Sequence, residues 1–389
     1  MKFDKSILVL SHSDYLVTDA GVEKVIQGHQ KLFLENEINY IVVYPIRKDM
    51  EIFGWVHSRT MPNFGLIING VHQGEIEYCD LMNLLETPNL LSVVIHELVT
   101  FKKDTKLFEF FDRVQCPIYY FVHDYAMVCY NHALMWNNKV FCGVEPLSFL
   151  KCKTCRFYLE GIINENWQKK FVSRYPQIVY LFPSVVVRDI WQNTFKAKNE
   201  LRIVPNTMFG NMYQNYSERS SNEKLRIAFI GYGRVEKGWE TWKKICKNYD
   251  SKYDLYVLGD GECEGNVKKF PVSIAKDGPN AMVDAIRNHK IDIAFLWSTR
   301  PETYSYTFFE SYVAGAYVIT NGQSGNISVA VKEFGCGQVF ENEETLFAYL
   351  DNAESVRASI TEMHCRKVKY PTLLEENDEI LRIVKGDPV

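Results

Sequence analysis

Pro301-Glu-Thr-Tyr-Ser-Tyr-Thr-Phe-Phe-Glu310, continuing as Ser311-Tyr-Val-Ala-Gly-Ala-Tyr-Val-Ile-Thr320, is the stretch that decides the fold. One apolar run, 291–297, precedes it, and a second, 316–320, closes it. Between them a mostly apolar segment ends at Gly315, where a helix can stop in a left-handed turn. The order is strand, loop, helix, strand, the repeating unit of a parallel sheet covered by helices. Glu302 falls on the loop at the first strand's carboxyl end, and Glu310 falls inside the helix. Ligands of open α/β sheets bind at that edge, so two acids eight positions apart are placed to line one small-molecule site. A solvated loop acid and an exposed helix acid are the plain alternative.

The same alternation runs outward in both directions. Strand candidates in the first half are 7–10, 39–44, 91–97, 118–123 and 178–183. In the second half they are 226–231, 254–259, 291–297, 316–320 and 337–340, with helical patterns such as 22–34 and 241–247 between them. After Val204-Pro-Asn206 comes Met212-Tyr-Gln-Asn-Tyr-Ser-Glu-Arg-Ser-Ser-Asn-Glu-Lys224, polar and nearly free of aliphatic residues. That composition marks a linker. The expected organisation is a Rossmann-like domain over 1–205, with a cysteine-containing insertion at about 125–160. A linker over 206–224 and a second Rossmann-like domain over 225–370 follow. The last helix is expected over 371–389 (its pattern clearest over 372–384), free to pack back on the first domain.

Composition agrees with two packed domains. The chain has 389 residues, 47% hydrophobic and 14% aromatic, too long for one ordinary core and too apolar for disorder. A formal charge of −4 argues against nucleic acid as a partner, which selects a basic excess. The opening apolar run is far shorter than a signal peptide's core, and no run approaches the roughly 18 residues of a membrane span. Ten cysteines, several in core-like runs, fit a reducing compartment. The cytoplasm is the expected location.

A second stretch carries phosphate chemistry. Ile227-Ala-Phe-Ile-Gly-Tyr-Gly-Arg-Val-Glu-Lys-Gly-Trp239 takes a strand into a glycine-containing loop with Arg234 and Lys237, and a helix starts near Trp239. Glycine lets backbone approach a ligand, and a helix N-terminus offers unpaired N–H groups to an anion. Arg and Lys add charge-assisted hydrogen bonds. Two surface cations on a turn are the plain alternative. Leu258-Gly-Asp-Gly-Glu262 and Asn321-Gly-Gln-Ser-Gly-Asn326 place further turns at the same sheet edge. In the first half, Thr18-Asp-Ala-Gly-Val-Glu-Lys24 opens a helix after the first strand, and Tyr119-Tyr-Phe-Val-His-Asp-Tyr125 ends a strand with His123.

Taken together, these motifs resemble family-4 glycosyltransferases, retaining enzymes of the GT-B fold, in a bacterial polysaccharide-type branch with a cysteine-containing insertion. The resemblance implies two Rossmann-like, doubly wound parallel-sheet domains facing a central cleft. It implies a glycosyltransferase, of hexosyltransferase type, that moves sugar from a nucleotide-diphosphate sugar to a glycan, lipid-linked or protein acceptor with retention of configuration. His123, Arg234, Lys237 and Glu302 are the implied catalytic residues. Arg234 and Lys237 would hold the diphosphate and offset its charge as it leaves, and Glu302 the sugar hydroxyls. His123 would orient the sugar or the incoming hydroxyl. Gly21, Gly231, Glu302, Tyr304, Ser305, Tyr306, Thr307 and Glu310 are the implied donor-binding positions, with Glu310 at the ribose. No cofactor is required for catalysis. The chain departs from the family at Tyr304-Ser305, where Phe-Gly is usual, and at Tyr232, where Arg is usual. A non-catalytic GT-B subunit that binds an active partner or its substrate, or a nucleotide-sugar epimerase, shares most of these features.

Two further features stay open. Cys129, Cys142, Cys152 and Cys155 resemble the scattered cysteines with a closing Cys-x-x-Cys of some family-4 branches, and fit a structural zinc site, with His132 as a substitute ligand. Four reduced thiols or a redox pair explain them as well. Trp167-Gln-Lys-Lys-Phe-Val-Ser-Arg-Tyr175 and Phe101-Lys-Lys-Asp-Thr-Lys-Leu-Phe-Glu-Phe-Phe111 mix cations and aromatics. They suit peripheral contact with the inner face of a membrane, or equally a solvated helix face beside a core stripe. A homo- or hetero-oligomer is compatible with all of this.

Overall fold

A computed structural model describes residues 2–18, 21–46, 63–143, 150–216, 223–366 and 369–387. The chain divides into two compact units. One comprises Met1–Leu134, Val144–Asn206 and Glu376–Val389, the other Met135–Gly143 and Thr207–Glu375.

The first unit is built on strands β1 (Lys5–Leu10), β2 (Ile38–Pro45), β3 (Phe64–Ile68), β4 (Val71–Ile76), β5 (Leu90–Ile95) and β6 (Ile118–Phe121). After the short hairpin β7 (Met135–Trp136) and β8 (Val140–Phe141), which belongs to the second unit, come β9 (Val179–Phe182) and β10 (Leu201–Ile203). Among the described residues the main sheet has the order β10-β9-β6-β5-β1-β2-β3-β4. Pairing is parallel from β10 through β2 and antiparallel for β2–β3 and β3–β4. Ile7, Leu8, Val9 and Leu10 are fully buried, as expected of a strand covered on both faces. The β3–β4 hairpin was not anticipated. Its two-residue turn is Asn69-Gly70, both at positive φ (52° and 78°), the chemistry a type I′ turn requires.

The C-terminal helix is shorter than its sequence pattern suggests. It spans Glu379–Lys385, because Leu374–Glu376 are drawn into a strand instead. Its Ile380, Leu381 and Ile383 join the core that holds Ile7, Val9, Ile26 and Phe33. The two cation–aromatic stretches also resolve into packing. Phe101, Phe110, Phe111, Trp167, Phe171 and Tyr175 are all buried, and Phe111 meets Phe171 edge-on at 5.0 Å. Their aromatics therefore build core, as under a solvated helix face. Among the described residues, no helix is long and apolar enough to cross a membrane.

The long segment of the second unit begins with β11 (Thr207–Phe209) and β12 (Tyr213–Asn215), followed by β13 (Arg226–Tyr232), β14 (Asp254–Asp260), β15 (Val267–Phe270), β16 (Ile293–Phe295), β17 (Tyr317–Asn321) and β18 (Gly337–Phe340). Short β19 (Lys369–Pro371) pairs with β12, and β20 (Leu374–Glu376) with β11. The expected linker is thus partly strand, and its residues 217–222 lie outside the described residues. The main sheet is parallel throughout, in the order β15-β14-β13-β16-β17-β18. Numbered within this sheet, that is 3-2-1-4-5-6, the doubly wound order whose direction reverses between its first and fourth strands. The reversal puts the loops after β13 and β16 side by side.

Candidate functional site

In the second unit, β13 ends in Gly231 (φ 111°) and the exposed Tyr232, and Arg234 sits on the loop that follows. The Arg234 guanidinium lies over the Tyr232 ring at 5.5 Å and 3.9 Å from Glu236. A single 3-10 turn, Val235–Lys237, leads to Gly238 and the helix Trp239–Tyr249. The loop after β16 is clamped onto this turn. Thr299 N–H donates to the Glu236 carbonyl at 2.9 Å. A Cβ on Gly238, which sits at φ 82°, would lie 2.1 Å from the Trp297 carbonyl oxygen. Only glycine permits that approach.

This clamp joins residues 65 positions apart. Glu302 is 4% exposed. Its Oε1 accepts from Lys237 Nζ at 2.9 Å and lies 2.8 Å from Ser298 Oγ, while Oε2 is 4.0 Å from Arg300 Nη2. Burial pushes the Glu302 carboxyl up, but the charges of Lys237 and Arg300 and the bonds from Lys237 and Ser298 outweigh it. The group is held below the usual carboxylate range. Two cations against one carboxylate leave this trio with an excess positive charge. On its other side Glu302 is stitched to the loop after β17. Asn326 N–H donates to its carbonyl at 2.9 Å, and Gly325 approaches too closely for a side chain.

The remaining positions of the stretch take different tasks. Ser305 caps the helix Tyr306–Val313, its Oγ accepting from Phe308 N–H at 3.2 Å and lying 3.0 Å from Thr307 Oγ1. Tyr304 stacks on Phe309 at 4.7 Å and has its hydroxyl 2.5 Å from Thr207 Oγ1, and the Tyr306 ring meets it edge-on at 5.2 Å. Glu310 is buried within that helix. Gly231 is brought against Thr307, whose methyl would be 3.8 Å from an added Cβ. Lys237 and Glu302, read from sequence as opposite ends of a donor site, are here direct partners.

The first unit carries a second constellation, most of which the sequence reading missed. His12 follows β1, His96 follows β5 and His123 follows β6, three adjacent strands of the sheet. His29 joins them from the helix Gly21–Glu35. His96 Nδ1 lies 2.8 Å from His123 Nε2. The His29 ring is 5.2 Å from that of His96, and Phe121 lies 5.1 Å from His96 and 5.5 Å from His123 with its ring nearly parallel to both. Burial pushes His29 and His123 down to about 3, and His96 well below the ordinary imidazole value. His12 differs. Burial opposes its protonation, but a bond to Glu23 (3.2 Å) and the charges of Glu23, Glu97 and Asp124 raise it. Behind the histidines, burial and Asp124 push Glu97 up to about 7, and burial pushes Lys103 down to about 8. A polar residue just past a strand end was the signal that singled out His123, and it marks His12 and His96 equally. Gly21 is the first residue of its helix and exposed; Asp19 and Ala20 lie outside the described residues.

The zinc expectation finds no support. Among the described residues no group of three or more His, Cys, Asp or Glu gathers as a metal would need, and Cys129, Cys142, Cys152 and Cys155 form no disulfide. Cys152 and Cys155 are closed into one backbone turn (Cys155 N–H to Cys152 carbonyl, 2.9 Å), and Cys142 follows the two-residue strand β8.

No protein-family profile matches the sequence, and no curated protein matches it either. Solved structures do. Sucrose-phosphate synthase from Thermosynechococcus elongatus superposes with a TM-score of 0.56 at 10% identity, covering 98% of this chain and 97% of that one. HepE of Anabaena, in complex with UDP-glucose, gives 0.54 at 11% identity, with 92% of each chain covered. The lipopolysaccharide outer core galactosyltransferase WaaB gives 0.54 at 10%, covering 92% of this chain and 95% of that one. At such identities the likeness is one of architecture, and it establishes that this chain has the GT-B fold of glycosyltransferases.

Proposed function

We propose that the protein transfers a sugar from a nucleotide-diphosphate sugar to a glycan, lipid-linked or protein acceptor, with retention of configuration. The observation that carries this reading is the Lys237–Glu302–Arg300 trio. It is a cation-rich cluster fixed by backbone contacts at the switch point of a 3-2-1-4-5-6 sheet, where such folds bind nucleotides. The donor seen with HepE is of this class.

In this mechanism the chain's own cations meet the charge that develops on the departing diphosphate. Lys237 and Arg300 act from positions already held, so little reorganisation accompanies bond breaking. Glu302 keeps the Lys237 ammonium in place and, through Oε2, has capacity to accept from sugar hydroxyls. Arg234, largely exposed on its loop, adds a further phosphate contact on binding. Gly231 and Thr307 bring backbone and hydroxyl to the same edge, and Glu310 takes the ribose. In the first unit, His123 hydrogen-bonds a hydroxyl of the transferred sugar or of the acceptor.

The test is release of nucleoside diphosphate from uridine-, guanosine-, adenosine- and thymidine-diphosphate sugars. Wild-type protein turns over at least one, and Lys237→Ala lowers kcat/KM by about a hundredfold or more, the scale for loss of one preorganised charge donor. NMR of the product reports the anomeric configuration. Binding without release from any donor would instead assign a substrate-binding subunit, and release that is indifferent to Lys237→Ala would overturn the site.

A further inference from the structure

We infer that His96 is a positioning residue for His123: it donates its Nδ1–H to His123 Nε2, so that His123 carries its own proton on Nδ1 and has no nitrogen left to accept one.

The geometry leaves two arrangements. A 2.8 Å contact between His96 Nδ1 and His123 Nε2 needs one donor and one acceptor, and each neutral imidazole has one of each. If His123 were the donor, His96 would carry its proton on Nε2. That atom is buried without a hydrogen-bond partner, and a buried N–H without an acceptor is rarer and costlier than an unused lone pair. If His96 is the donor, only a lone pair goes unused at Nε2. A charged imidazolium in either ring is disfavoured by burial and by the neighbouring rings. The groups facing the pair are His12 and Glu23 at the β1 end, His29 on the helix, and the Phe121 ring. Phe121 and His29 also fix the ring planes, so His96 sets orientation as well as tautomer.

This deepens the proposed transfer reaction and rests on it for its consequence. His123 then serves as a hydrogen-bond donor to a substrate oxygen, and the general-base role, drawing a proton from the acceptor hydroxyl, falls away. Between orienting and deprotonating, the tautomer selects orienting.

The experiment is long-range 1H–15N correlation NMR of the histidine-labelled full chain, with kinetics of the donor reaction alongside. The expected spectrum shows His123 and His96 both protonated on Nδ1. His96→Leu, which removes the donor, shifts His123 toward the other tautomer and lowers kcat about tenfold with KM within about twofold. His96→Asn, whose amide N–H falls near the position of Nδ1, restores both. A wild-type His123 protonated on Nε2, or a His96→Leu spectrum with the tautomer unchanged, overturns the inference. If His96→Leu does not fold, the wild-type and His96→Asn spectra decide alone. The NMR arm needs no activity, so absence of nucleotide release would count against the transfer reaction and leave the tautomer assignment standing.

Discussion

The two sheets change direction in the same way but furnish that point with opposite chemistry. Between β13 and β16 the second unit places Lys237, Glu302 and Arg300, all charged. Between β1 and β5, and on to β6, the first unit places His12, His96 and His123, of which the latter two are uncharged. Burial is severe in both places and does not make the difference. Glu302 stays ionised because two cations and a serine hydroxyl are within reach, whereas burial dominates at His29, His96 and His123. His12 is the internal control, since with a carboxylate bonded to it the shift reverses. A charged edge suits phosphate, and an uncharged imidazole edge suits hydroxyl recognition.

The largest way to break this contrast acts on the clamp that makes the charged edge. Gly238→Ala would put a Cβ 2.1 Å from a backbone oxygen at a φ of 82°, where the backbone must move. A loss of about 3–5 kcal/mol is expected in the second unit, read as a fall of its thermal transition by roughly 10 °C and loss of the Lys237 contribution to turnover. A variant as stable as wild type would show that the two loops are not pressed together.

Acid separates the units next. Buried histidines pushed below their ordinary value bind protons more readily unfolded, so their stabilising effect is present above the ordinary imidazole value and is lost as pH falls below it. Three such groups sit in the first unit. Glu97, pushed up to about 7, acts in the opposite sense and gains stability as pH falls; Lys103, pushed down to about 8, has no further slope here. The net expectation is a loss of about 2 kcal/mol in the first unit between pH 7.5 and 5.5. Glu302 is depressed, so its contribution persists over that window and is lost only at lower pH. Hydrogen exchange resolved by unit should show the first loosening before the second. Equal loosening would mean that the histidines are already solvated.

What could be read from the sequence follows the same physics. Core strands such as Ile7 to Leu10 and Arg226 to Gly231 announce themselves as continuous apolar runs because both faces are covered. The short strands β11, β12 and β20 bury little and β19 is only three residues long, so no periodicity betrays them, and the β3–β4 hairpin was signalled only by Asn69-Gly70. Glu302 and Lys237 could be named individually. That they touch depends on strand order, which puts loops 65 residues apart side by side and leaves no trace in local spacing. The histidine pair was half seen: His123 was read as a ligand to substrate, and His96 was absorbed into an apolar run.

The smallest predicted effect concerns Ser305, which stands where the resembling family has glycine. Its backbone (φ −117°, ψ 98°) is ordinary extended chain, so nothing there demands glycine. The hydroxyl does local work as the N-cap of the helix that carries Glu310. Ser305→Ala should therefore cost the second unit about 1 kcal/mol, and Ser305→Gly a few tenths, both measured by denaturant titration. Nucleoside diphosphate affinity should stay within about threefold in both variants, under 1 kcal/mol. A marked gain in affinity with glycine would mean that the serine side chain holds the ligand off. A marked loss with alanine alone would mean that the hydroxyl leaves its cap to meet the donor. If affinity holds, the departure from the family is a change in how the helix is started, and the charged edge beside it is left intact.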